Sequence, residues 1–150
     1  MISVGTILAS LLSVVLLSSG IPHTDPIEHT WANQDNTAHI QIYEGTDGKF
    51  YGKLVWLSEP LDEKTGKPKL DQYNPDEKLR NRPLMQLVMI RGYSKSTSDP
   101  NVYAGGNIYD PKSGKTYCGK MTVNGKQMKL KGFICGVSML GRSETWTIVN

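Results

Sequence analysis

Along the chain, apolar and polar residues alternate in short runs and do not recur every three or four positions. That is the pattern of strands with one face in a core. Ala38 to Glu44 places Ile40 and Ile42 on one face, with His39, Gln41 and Tyr43 on the other. Thr46-Asp47-Gly48-Lys49 carries hairpin chemistry, and Phe50 to Leu57 reads as a strand apolar on both faces. Leu84 to Tyr93 is a further apolar run, too β-rich for a helix, and Val102 to Tyr109 follows before the turn Asp110-Pro111-Lys112-Ser113-Gly114. Thr116 to Val123 predicts a strand with Tyr117, Gly119, Met121 and Val123 on its inner face. Asn124-Gly125 is the strongest short hairpin signal in the sequence, and beyond it Met128, Leu130, Gly132 and Ile134 alternate with Gln127, Lys129, Lys131 and Phe133. Ser143 to Val149, with Trp146, is the last strand. Seven or eight strands at this spacing predict an all-β barrel or sandwich, and closure into a barrel would remove exposed sheet edges.

Ser58 to Pro83 breaks the rhythm, with 26 residues and four prolines. Loops of that length inside a domain are functional or disordered. Asn74 as N-cap, Pro75 at the first helical position, Glu77 as capping partner and Pro83 as stop predict a short helix over 75–81 within a lid-like excursion. A solvated loop held by its own ion pairs is the bland alternative.

Residues 1–20 hold no Asp, Glu, Lys or Arg, and 12 of the 20 are apolar. The 11-residue run Ile7 to Leu17, followed by Ser18, Ser19 and Gly20, has the length of a signal-peptide core and is shorter than the ~20 residues of a spanning helix. We expect a signal peptide at 1–20 cleaved after Gly20, an extended leader at 21–28, one β domain at 29–150, and a periplasmic or secreted location without stable membrane insertion. The absence of Lys and Arg before the run departs from the usual pattern. Export permits a disulfide. Taking Asn124-Gly125 as the hairpin loop, however, puts Cys118 opposite Lys131 and leaves Cys135 ~13 Å away along the next strand, too far to bridge.

Composition adds exclusions. After the first 20 residues, 13 glycines and eight prolines spread over 130 positions speak against a helix bundle, a disordered tail or a disulfide-dense miniprotein. The formal net charge is only +3, and Lys126, Lys129 and Lys131 read as a solubilising edge, so no nucleic-acid partner is expected. His23, His29 and His39 lack ligand spacing. Asp71, Asn74, Asp76 and Glu77 lack the spacing and glycine of a calcium loop. No metal or cofactor is expected. No nucleophile elbow or phosphate loop is present, and Gly105-Gly106 marks a bulge or close packing.

Several stretches resemble one family: Gly52-Lys53-Leu54-Val55-Trp56-Leu57; Pro60-Leu61-Asp62; Gly66-Lys67-Pro68-Lys69-Leu70-Asp71; Asn74 to Leu84; Gly106-Asn107-Ile108-Tyr109-Asp110-Pro111; Gly114-Lys115-Thr116-Tyr117; and Leu140-Gly141-Arg142-Ser143-Glu144-Thr145-Trp146-Thr147. Over about residues 29 to 148 the chain is similar to exported bacterial proteins grouped as domain-of-unknown-function family 2147. The resemblance implies a small up-and-down antiparallel β-barrel of the calycin or lipocalin type, with the long loop and its short helix attached. It also implies that an Arg from the last strand region, here Arg142, stacks over the first Trp, here Trp31, in a structural role. His29 stands where that pattern has Gly.

Such a barrel suggests a binder or carrier of a small, largely apolar molecule, lined by Ile40, Ile42, Leu54, Trp56, Met121 and Leu130 with hydroxyls from Tyr109 and Tyr117. The same residues would also fill a solid core. The alternative is an envelope or secreted protein that contacts a protein partner through Asp76, Glu77, Arg80 and Arg82 of the 58–83 loop. An enzyme using Glu44, Glu59 and Asp110 is the least supported reading, since acid–base chemistry needs a positioned pair.

Overall fold

A computed structural model describes residues 24–149; the expected signal peptide and its cleavage point lie outside the described residues. Eight strands form an antiparallel meander that closes on itself: β1 (Thr30–Ala32), β2 (Ala38–Glu44), β3 (Phe50–Leu57), β4 (Val88–Lys95), β5 (Val102–Asp110), β6 (Lys115–Asn124), β7 (Gln127–Ile134) and β8 (Val137–Ile148). Each strand pairs with its sequence neighbour, and β8 returns to β1 through the pairs Trp31↔Ile148 and Ala32↔Thr147, with the Val149 amide donating to the Thr30 carbonyl beside them. β2 falls where the alternation puts it, and β3 keeps its expected bounds but buries one face only, through Phe50, Gly52 and Leu54. No helix of the described residues is long and apolar enough to cross a membrane.

One end of the barrel is closed. Ile27 and Trp31 are fully buried there with Tyr93, Tyr103, Ile90, Met121 and Met128. The segment read as a leader is part of this end over residues 24–28. Asp25 accepts hydrogen bonds from Lys95 (2.7 Å), the Tyr103 hydroxyl and the Ile27 amide, and the Trp31 indole N–H donates to the Ile27 carbonyl (2.8 Å). Burial works to raise the Asp25 carboxyl, but those hydrogen bonds outweigh it and hold the group below the usual carboxylate range. Gly106 and Gly119 leave the space in which the Tyr93 ring lies across β5 and β6; a Cβ on Gly106 would come within 2.5 Å of the Arg91 carbonyl oxygen. The pairing shifts between Ala104 and Asn107, so the glycine pair marks both a bulge and a close approach.

Three expectations are corrected. The β6–β7 loop is Gly125-Lys126, because Asn124 itself pairs with Gln127 and Gly125 takes φ of 58°. Cys118 therefore lies opposite Phe133, two residues closer to Cys135 than expected. A shift in pairing at Phe133/Ile134 and the turn at Gly136 then bring the cysteines to a Cα separation of 5.0 Å, and they form a disulfide. The helix over 75–81 contracts to a single 3-10 turn, Glu77–Leu79, capped by Asp76, which accepts from the Lys78 amide; Asn74 instead accepts from the Asp76 amide. Finally, Arg142 does not stack on Trp31. It pairs with Gly132, six residues along β8 from the Ile148 that faces Trp31, roughly 20 Å away.

Candidate functional site

The opposite end is open. Loop 58–83, the turns around 33–37 and 110–114, and the disulfide-braced β7–β8 hairpin all project from it. The long loop is not a loose excursion: Leu61 bridges Pro68, Leu70 bridges Pro83, and the Lys69 amide donates to the Pro60 carbonyl. Its anchor is Asp71, which is fully buried. Asp71 accepts from the Tyr109 hydroxyl on β5 (2.5 Å), from Asn74 (2.7 Å) and from Arg82 (2.8 Å for the ion pair). Burial first, and then the hydrogen bond to Asp71, push the Tyr109 hydroxyl up to about 12. The carboxylate, guanidinium, amide and phenol satisfy one another, as a buried charge requires.

Between this loop and the β7–β8 hairpin lies a cup of about 1630 Å³. Its floor is apolar, made by Ile40, Leu54, Met89, Ile108, Leu130 and Trp146. The volume exceeds the ~300–1,000 Å³ of enclosed small-molecule sites, because the mouth is open to solvent. Eight of the nine large hydrophobic side chains exposed on the described residues lie on the long loop or the hairpin: Leu61, Leu70, Tyr73 and Leu79 on the loop, and Ile134, Val137, Met139 and Leu140 on the hairpin.

The structure sorts the residues expected to line a pocket. Ile40, Leu54, Tyr109, Tyr117 and Leu130 do line the cup. Ile42 and Met121 lie in the closed-end core, away from it. Trp56 does not face inward. Ile40 pairs with Leu54 but His39 pairs with Trp56, so β3 carries one extra residue there, which turns Trp56 to the outer face. It is 40% exposed and stacks on His39 at 4.2 Å between ring centroids.

Of the residues expected to meet a partner, Arg82 is committed to Asp71, and Arg80 donates to the Asn74 carbonyl and pairs with Glu77 at 3.3 Å. Asp71, Asn74, Asp76 and Glu77 do not converge on one point, since each serves its own loop contact. The three acids considered for chemistry do not form a set either. Glu59 pairs with Lys69 at 3.3 Å and Asp110 accepts from Ser113 at 2.6 Å, both beside the cup, while Glu44 ends β2 at the other end.

Trp146, Leu84, Ile108 and Arg142 belong to the cup without having been assigned to it from the sequence. Trp146 carried a usable signal, an aromatic inside an alternating run. Arg142 carried none, because an inward charge on a strand looks the same as an outward one.

A meander closed from its last strand to its first, sealed at one end by its own N-terminal segment and open at the other over an apolar floor, defines a lipocalin-like barrel. Residues 29–148 match the model of a family described as uncharacterized proteins conserved in bacteria, domain-of-unknown-function family 2147, and the chain belongs to that family. Among solved structures it is similar to protein HP1028 from the human pathogen Helicobacter pylori, described as belonging to the lipocalin family. The two share 24% identity and a TM-score of 0.71, over 85% of each chain. That likeness concerns the fold. No curated protein compared with the chain matches it.

Proposed function

We propose that the protein is an exported carrier or binder of a small, largely apolar molecule, working in the periplasm or outside the cell. The observation that carries this reading is the cup itself: a strand-built wall over a floor of Ile40, Leu54, Met89, Ile108, Leu130 and Trp146, left unfilled by side chains. A barrel of this size whose only task was stability would fill that space. Two features support export. One is the uncharged apolar segment at residues 1–20, and the other is the Cys118–Cys135 bridge, which an oxidising compartment sustains. A contact role for the 58–83 loop has less support, because Arg82 is turned inward onto Asp71.

Native mass spectrometry of protein isolated gently from its own compartment tests the reading. The expected result is a defined extra mass that is lost on denaturation and identifies the ligand. A bare polypeptide mass throughout would count against a carrier.

A further inference from the structure

Building on the carrier reading, we propose that the cup selects an amphiphile with an anionic head, its charge met by Arg142 above an apolar floor. The barrel-facing side of the β7–β8 pair is a ladder of three rungs: Met128 with Trp146, the former beneath the floor and the latter part of it, then Leu130 with Glu144, and Gly132 with Arg142. Met128, Leu130 and Trp146 are buried. Arg142 stands four residues along the strand from Trp146, roughly 13 Å above the floor. Across from it Gly132 supplies no side chain, and a Cβ built there would meet nothing within 4 Å. The guanidinium thus borders open space on the cup side.

The charges around the cup are unevenly satisfied. Each carboxylate lining it already accepts a hydrogen bond: Glu59 from Lys69, Asp62 from Thr65, Asp110 from Ser113, and Glu144 from the Trp146 indole (3.0 Å). The last contact draws Glu144 toward the floor. Among the described residues no carboxylate lies within ion-pair distance of Arg142, nor of Lys67 and Lys112 at the rim. What the cup lacks is an anion, placed where a planar fork of donors can take a carboxylate or phosphate in two hydrogen bonds. An apolar chain on the floor with an anionic head at Arg142 fills both needs.

Equilibrium titration with dodecanoate, dodecyl phosphate, dodecanol and dodecyltrimethylammonium, each below its micelle-forming concentration, tests this. Both anions are expected to bind about tenfold or more tightly than the alcohol, with the cation weakest. Arg142→Gln should bring the anions to the alcohol's level and leave alcohol binding unchanged, which also shows the variant is folded; Arg142→Lys should keep part of the preference. The relative strength of the carboxylate and the phosphate identifies the head group. Equal binding of anion and alcohol, or a preference that survives Arg142→Gln, overturns the proposal while the apolar reading stands. If none of the four binds, the carrier reading fails and this inference goes with it.

Discussion

Asp25 and Asp71 perform related tasks at opposite ends of the barrel. Each is a carboxylate that ties an irregular segment to a tyrosine on β5: Asp25 joins the N-terminal segment to Tyr103, and Asp71 joins the long loop to Tyr109. Asp25 also holds Lys95, whose ammonium lies 5.6 Å from the centre of the Tyr103 ring. Because the folded state holds the Asp25 carboxyl below its ordinary value, its stabilisation is present above that value and is lost as pH falls through the folded one. Asp25→Ala should therefore cost about 1–3 kcal/mol at pH 7, by leaving Lys95 and Tyr103 without their acceptor. The gap from the wild type should narrow as pH drops below about 4. Urea melts of the two proteins across that range check it, and a gap that widened in acid would contradict the assignment. Neither tie is readable from the chain, because 78 residues separate Asp25 from Tyr103 and 38 separate Asp71 from Tyr109. A buried Asp in a charged loop reads as one more solvated acid.

At the scale of elements, legibility follows how local the deciding contact is. β2 shows in the alternation because it has one face in the core, whereas β3, with apolar residues on both faces, shows its place but not that only one face is buried. The bulge that turns Trp56 outward changes no residue type, so nothing in β3's sequence announces it. β8 is longer than its apolar signal, since from Val137 to Thr145 it is exposed and its cup side carries Glu144 and Arg142. The β6–β7 register is the instructive miss. Asn124-Gly125 marks the turn correctly, yet moving the loop to Gly125-Lys126 shifts every later pair by two residues and turns an unbridgeable cysteine pair into a disulfide. That bridge spans 17 residues and braces a hairpin with one unaccompanied flank. Cys118→Ser with Cys135→Ser should cost about 2–4 kcal/mol. Limited proteolysis is expected to begin near the 134–141 tip in the variant and in reduced wild type, but not in oxidised wild type. Identical digestion of oxidised and reduced protein would mean that the thiols are not joined.

For the whole molecule, the barrel was within reach of sequence reasoning, because many short strands with turn chemistry between them leave few alternatives. The division into a filled half and an empty half was not, because both use the same apolar residues. Ile42 and Met121 went to the filled half, Leu54 and Leu130 to the floor of the empty one. The difference is made by chain path: the loop and the hairpin continue upward past the short β1 and leave the cup between them.

The brevity of β1 also bears on how the molecule assembles and breathes. Seven of the eight joints in the cylinder link strands adjacent in sequence, but the eighth joins Trp31 to Ile148 and rests on two residue pairs. Drawing together points so far apart in the chain carries the largest loop-closure entropy of any joint and secures the fewest backbone bonds. The barrel is in effect a garment with one button at its only opening. Amide exchange at Ala32 and at Val149, whose N–H donates to the Thr30 carbonyl across the seam, should outpace exchange in the middle of β5 and β6. Uniform protection around the cylinder would show that the seam is as firm as the cloth.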